Sequence, residues 1–522
     1  MTPKRNRSLI APALAILSLA LTAPAWADGF PGGIRSALGP RFDAAPHFSE
    51  WQKYRPVRRG EDTLNRLRYW NAIAITASGI DHTPPAPGEN RVFGEQIGPA
   101  RSSRAMAIVH VAIFDAVNAT VGKYQSYTGL DRVPPGATSM DAAIAQAAHD
   151  TLVALFPAQR ANFDELLEED LSQIARSERS KANKIGSGID LGRRAAAAIL
   201  ALRANDGAQH AEPRIGVDFI PSDQPGKWRQ DPVSQVPLAV GEQWSTVAPF
   251  VLTRADQFRV PPPPAMDSAE YTAAFNEVKD LGGDGISTPT VRTADQTEAA
   301  IYWAYDGTPS LCAPPRLYNQ IAVLIAKQQG SDVVELARLL ALVNVAMADT
   351  GIAAWESKYH YQVWRPVTGI READPGTGPT GAGDGNIDTF ADPAFMPLGA
   401  PASNLTGPNF TPPFPAYPSG HAAFGGALFE TLRNFYGTDH IAFTFVSDEF
   451  NGVTLDNQSN VRPLRPRSFS SLSQAEEENG QSRIYLGVHW AFDKTEGITQ
   501  GRRVADYVFE NVFAPQHPTG RR

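Results

Sequence analysis

Apolar residues recur three and four positions apart along most of the chain, the spacing that lines one face of a helix. This pattern predicts helices over residues 104–122, 140–156, 160–174 and 181–204. A loop-rich stretch from about residue 205 to 265 closes on Val260 and four successive prolines, Pro261 to Pro264. Such a run cannot continue a helix and favours a stiff, extended connector. Helical spacing resumes at 268–281, 294–305, 316–329 and from 332 to about 363. Residues 366–418 read as a second long loop rich in Gly, Pro and Asp, followed by helical segments over 419–436 and 473–513. Strand-like alternation is scarce, and no internal repeat has a clear period. The expected fold is all-α: two helical bundles of the four-helix type with long loops, residues 28–265 on one side of the proline run and 266–522 on the other.

The first 27 residues stand apart from this pattern. Lys4, Arg5 and Arg7 make a basic start, residues 9–21 are almost wholly apolar, and Ala25-Trp26-Ala27 offers small residues for cleavage. The apolar run falls short of the roughly 20 residues needed to span a bilayer. A signal peptide over 1–27 is expected, and with it a soluble, secreted or periplasmic protein. Arg5-Asn6-Arg7 is not a twin-arginine pair, which favours ordinary secretion. No later stretch reads as transmembrane, so no stable membrane association is expected.

Composition narrows the function classes. The chain has 522 residues, 42% hydrophobic and 20% charged, with 43 Gly and 43 Pro, which is globular composition with long ordered loops. Its formal charge of -8 offers no basic excess for nucleic acid, so any anion site must be built locally. The single cysteine, Cys312, excludes an internal disulfide and a Cys-based zinc cage.

Several motifs fail on inspection. Gly376 to Gly381 matches GxGxxG but neither follows a strand nor opens a helix, so it reads as loop. Asp384, Asn386 and Asp388 are spaced like the start of a calcium loop. Thr389 stands at the sharp-turn glycine position and Phe395 at that of the bidentate Glu, which leaves at most a weak loop-bound cation. His110 and His149 fall in apolar helices as core residues, while His47, His82, His210 and His517 fall in loops.

Three C-terminal segments carry chemistry. Lys358 and Arg365 are seven positions apart, two helical turns, so both cations point from one helix face that Pro366 then ends. Pro413 to His421 leads into a helix that Ser419 caps; the free N–H groups of Gly420, His421 and Ala422 make an anion-binding terminus. The helix dipole there disfavours a charged histidine, so His421 suits proton transfer beside an oxyanion. Arg483 and His489 are six apart, which an ideal helix does not place on one face, so the segment must bend or end near Gly487. Three cations, two histidines, a serine and helix-terminal N–H groups suit a tetrahedral oxyanion such as phosphate or vanadate, and suit a divalent metal poorly.

Lys-x6-Arg-Pro, Pro-Ser-Gly-His and Ser-Arg-x5-His, in that order, resemble the superfamily of vanadium-dependent haloperoxidases and type 2 phosphatidic-acid-phosphatase (PAP2) enzymes. Likeness to the chloroperoxidases extends through RTADQTEAAIYWAYDG, PPRLYNQIA, TPPFPAYPSGHAAFGGALFE and SRIYLGVHWAFD. The resemblance implies an active site in the C-terminal bundle, holding vanadate. His489 would bond vanadium, and Lys358, Arg365, Ser419, Gly420 and Arg483 would hold the oxygens. His421 would be the acid–base residue, Lys358 would polarise the peroxide, and Asp306 would pair with Arg483. Trp355 and Phe414 match aromatic residues near the halide, the latter at a position where algal bromoperoxidases typically carry histidine. The implied function is a peroxidase that uses hydrogen peroxide to oxidise bromide or chloride, with an organic acceptor as a further partner and homodimerisation left open. The same residues would serve a secreted phosphatase working through a phosphohistidine, or an oxyanion-binding protein without turnover.

Overall fold

The computed structural model describes residues 62–85, 89–177, 182–307, 311–400, 411–454 and 460–516. The signal peptide expected over 1–27, His47 and His517 lie outside the described residues. Among the described residues five α-helices precede the proline run: α1 Thr63–Asp81, α2 Pro99–Val121, α3 Met140–Leu155, α4 Arg160–Ser177 and α5 Ala182–Arg203. Eight follow among the described residues: α6 Ala269–Leu281, α7 Ala294–Tyr302, α8 Pro314–Gln328, α9 Val333–Tyr361, α10 Pro366–Arg371, α11 Gly420–Tyr436, α12 Leu472–Tyr485 and α13 Ala491–Asn511. The all-α class holds. The described strands are β1 Phe443–Phe445 and β2 Arg467–Phe469, an antiparallel pair with Phe443 opposite Phe469.

Local chemistry sets the boundaries. Ser139, Ser268 and Ser471 cap their helices with side-chain oxygens, and Thr293 with Gln296 forms a reciprocal capping box. Asp332 and Glu335 do the same for α9. That helix is buried without interruption from Leu336 to Lys358 and packs against α2, α11 and α13. Its internal polar groups are paired locally: Asn344 bonds Asn319, and the Asp349 carboxylate accepts three loop amides, from Phe250, Val251 and Leu252. Most of the core is one apolar cluster from Leu67 to Phe513, so it does not stop at residue 265.

The structure adds to these readings and changes some. Helix α1 carries no amphipathic signal because Arg66, Asn71, Thr76, Ser78 and Asp81 are buried beside its apolar residues. Residues 473–513 form two helices, parted near Gly487 as the Arg483–His489 spacing requires. By length and composition α2 and α9 could each cross a membrane, contrary to the expectation for later stretches, yet their apolar windows are 89% and 100% buried inside the fold. Of the histidines, His110 and His149 are core residues as expected, the latter held by Asp150 and Asp164. His82 is not a loop residue in character: it caps α1, is fully buried, donates from Nδ1 to Ser78 and accepts the Gly98 N–H at Nε2.

Candidate active site

The three C-terminal segments converge, though not all by the route their spacing suggested. Helix α9 stops at Tyr361, and Gln362 turns the chain in left-handed conformation at φ 54°. Lys358 and Arg365 therefore do not share a helix face. Val363 pairs with Lys227 in an antiparallel bridge, and Arg365 becomes the N-cap of α10, which Pro366 opens rather than ends. Ser419 does cap α11, its Oγ accepting from Ala422 N. Helix α12 ends at Tyr485 and the chain turns at Gly487, φ 71°, where an added Cβ would sit 2.5 Å from the Gly282 carbonyl oxygen. The bend that the Arg483–His489 spacing demanded lies there.

Arg365 and Arg483 are almost completely buried. Arg365 donates from Nε to Phe414 O and from Nη1 to Val488 O, both at 2.9 Å. Nη1 also lies 3.0 Å from His489 Nε2. Arg483 grips Asp306 through Nη1 and Nη2 at 3.1 and 2.6 Å. Arg365 Nη2 and Arg483 Nε are buried without a partner among the described residues. The Lys358 ammonium donates to the carbonyls of Pro415, Ala416 and Pro418 at 2.8, 2.9 and 2.5 Å, so it reaches the cage as charge while fixing the loop before α11.

Neighbours assign the two imidazoles opposite tautomers. His489 accepts from Arg365 at Nε2 and faces the Asp493 carboxylate at Nδ1, 2.8 Å away, so its proton sits on Nδ1 and Nε2 keeps a lone pair. His421 Nε2 lies 2.5 Å from the Ala304 carbonyl, which can only accept, so Nδ1 is left to exchange a proton. Burial, then the Arg483 charge, pushes His421 down to about 3. Burial, then Arg365 and Lys358, holds His489 well below the ordinary imidazole range. Burial also drives Lys358 well down, takes Arg365 down to about 9 and raises Asp493 to about 7.

Three buried cations thus face two carboxylates, Asp306 and Asp493, with guanidinium N–H groups to spare. Such a cage is costly unless an anion completes it. The donor set fits a tetrahedral oxyanion, with the lone pair of His489 Nε2, which accepts from Arg365, on the cage side as its ligand position. Among the described residues no cluster of His, Cys, Asp and Glu could hold a metal cation. Side chains of the Asp384 loop are engaged within the protein: Asp384 accepts from Asn386 N and Thr389 Oγ1, and Asn386 donates to Met266 O and Thr272 Oγ1.

The cage opens into a cleft of about 960 Å³, mouth included, reached by His421, His489, Arg483 and Asp306. Trp355 and Phe414 form part of its wall, their rings 4.8 Å apart, with Lys358 Nζ 5.2 Å from the Phe414 ring centre. Leu238, Val240 and Glu212, from the loop ahead of the proline run, face the same space, as does His82. Sequence reasoning singled out neither Asp493 nor Glu212, and placed His82 among the bland loop residues. Asp493 had a signal, His-x3-Asp spacing on one helical turn; the other two had none.

Residues 338–517 match the family model described as the second helical-bundle domain of VCPO. The chain is 31% identical to the vanadium chloroperoxidase of Curvularia inaequalis over 509 aligned positions, covering 83% of this chain and 80% of that protein. In fold it is similar to a bacterial vanadium-dependent iodoperoxidase, with TM-score 0.68 and 24% identity over 89% of this chain and 100% of that one. It is also similar to a holo-type bacterial vanadium-dependent chloroperoxidase, with TM-score 0.59 and 16% identity over 85% and 96% of the two chains.

Proposed function

This chain belongs to the vanadium-dependent haloperoxidase family, and from that premise we infer how its residues divide the work of a vanadate-dependent peroxidase. The reaction is oxidation of halide by hydrogen peroxide. The observation that carries the residue assignment is the pair of orphaned guanidinium N–H groups beside His489 Nε2, whose lone pair accepts from Arg365 on the cage side, inside one buried cage.

Vanadate, when bound, supplies Lewis-acid activation of peroxide without changing its own oxidation state. His489 Nε2 is the proposed ligand atom, held in that tautomer by Asp493. Arg365, Arg483, the N-terminal amide of Gly420 and the Ser419 hydroxyl hold oxygen atoms, and Lys358 adds charge where negative charge develops. His421, through Nδ1, moves the proton that peroxide must lose. Asp306 orients Arg483 and is 3.9 Å from His421 Nε2. Trp355 and Phe414 exclude water around the halide, which we take to be bromide first and chloride second, since bromide is the easier to oxidise. The cleft beyond them leaves room for an organic acceptor, and the net charge of -8 argues against nucleic acid.

The phosphatase reading uses the same cage but is not favoured by the relatives. The deciding experiment is peroxide-dependent bromide oxidation with and without orthovanadate, beside a phosphomonoester assay, with phosphate as competitor. Vanadate should switch on halide oxidation; strong phosphomonoesterase activity without it would overturn the assignment. Export by way of residues 1–27, to the periplasm or the medium, is proposed from their charge and apolar pattern, and amino-terminal sequencing of the exported protein tests it.

A further inference from the structure

Glu212 belongs to the irregular stretch between α5 and α6, where no motif pointed. It is 9% exposed, and its carboxylate is tied on both sides. Oε1 accepts from Arg101 Nε at 3.1 Å, and Oε2 accepts the Gly241 N–H at 2.6 Å. Arg101, in the first turn of α2, is itself fixed by the carbonyls of Ala208 and His210 and lies 5.2 Å from the centre of the Trp244 ring. Glu212 is therefore anchored to a helix at one end and to the Val240–Gly241 peptide at the other.

That peptide holds Trp355. The Val240 carbonyl accepts the Trp355 indole N–H at 3.0 Å and the Tyr359 hydroxyl at 2.9 Å, one turn apart on α9. Val240 N donates to Pro413 O at 2.9 Å, tying the same strap to the loop that carries Phe414. Gly241 sits at φ 77°, and a Cβ there would lie 2.2 Å from Trp355 Cδ1, so the indole edge packs directly on this backbone. Only a glycine fits, and only a fixed peptide keeps the ring where it is.

We propose that Glu212 is a positioning residue for Trp355: clamped by Arg101, it holds the Gly241 N–H, aims the Val240 carbonyl at the indole, and so sets the shape of the halide pocket. This rests on the reading of Trp355 as a wall of that pocket. Removing the carboxylate leaves a buried N–H without its acceptor and frees the strap to turn. The strap needs the carboxylate's reach and both of its oxygens.

The test is a double-mutant cycle on the vanadate-loaded enzyme, reading KM for bromide, KM for peroxide, kcat and vanadate affinity. Trp355→Phe alone should raise the bromide KM. Glu212→Ala should raise it about threefold or more, the size of an ordinary contact coupling, with peroxide KM and vanadate affinity unchanged. In the Trp355→Phe background Glu212→Ala should add nothing. Glu212→Gln keeps one acceptor oxygen for the two donors, Arg101 and Gly241 N–H, so its bromide KM should fall between wild type and Ala, while Glu212→Asp, charged but too short, should behave like Ala. The Asp and Gln variants carry the test should the Ala variant fail to fold. An equal effect of Glu212→Ala in both backgrounds would mean that Glu212 acts independently of Trp355, and overturns the proposal. So does a normal Asp variant, or an effect of Trp355→Phe with none at Glu212. No effect of Trp355→Phe at all would instead remove the halide reading on which the proposal stands.

Discussion

Asp493 Oδ2 lies 2.8 Å from His489 Nδ1, and the same oxygen accepts the Trp490 N–H at 3.0 Å. One carboxylate thereby starts α13 and fixes the ring that precedes it. With Nδ1 protonated, the His489 lone pair is confined to Nε2, on the cage side where Arg365 donates. Partners of this kind orient a ligating imidazole and raise its basicity, and their loss typically costs about 10–100-fold in affinity. Asp493→Ala is expected to weaken vanadate binding by that order while kcat at saturating vanadate stays near wild type. Asp493→Asn keeps an acceptor and should fall between. Vanadate titration of bromide oxidation measures both.

The two histidines should separate cleanly. His489→Ala removes the one proposed bond to vanadium and leaves an ionic cage, so vanadate affinity should fall sharply. His421→Ala should retain much of that affinity while turnover drops by about 10²–10⁴-fold, the range of acid–base catalysis. A single charge-assisted contact is worth only about 1.5–3 kcal/mol in binding. Equal vanadate affinity in wild type and His489→Ala would sink the ligand assignment.

Most of this site could be read from the chain because its residues sit in three short blocks whose spacing is itself chemical. Ser419 caps a helix as its position before a helical run implied, and the six-residue Arg483–His489 interval forced the break found at Gly487. The seven-residue Lys358–Arg365 interval misled, because periodicity cannot show that Gln362 takes a left-handed turn and hands Arg365 to the next helix. Helix α1 was invisible for a different reason: it buries Arg66, Asn71 and Asp81 beside its apolar residues, and Arg66 finds a partner far along the chain, at Asp170. Glu212 acts through backbone amides in loops, contacts that leave no period in sequence.

Phe414 packs its ring 4.8 Å from Trp355, with the Lys358 ammonium 5.2 Å and the Arg365 guanidinium 5.0 Å from its centre. It is thus the apolar lid over two buried cations. Phe414→His would bring a polar, hydrated group into that place and lower the activation available to the less reactive halide. Chloride turnover should fall at least about tenfold, equivalent to about 1.4 kcal/mol of barrier, with bromide turnover largely kept. Steady-state rates on both halides decide it; parallel losses would remove Phe414 from halide selection.

His110 offers a test of the core, remote from the site. It is 1% exposed in α2, its Nε2 has no partner, and burial pushes its pKa down to about 3 from an ordinary 6.5. Between those values the unfolded chain binds a proton that the native protein refuses. Stability therefore rises with pH through this window and is lost as pH falls below about 6.5, by up to about 1.4 kcal/mol per pH unit for one proton. His110→Leu removes this titration while nearly conserving volume. Other groups titrate alike in both proteins and cancel in the difference. The variant should thus gain on wild type progressively from pH 6.5 to 4, and differ little above pH 7. Thermal unfolding of the pair across that range measures it, and a difference that stays constant with pH would show that His110 is protonated in the native core.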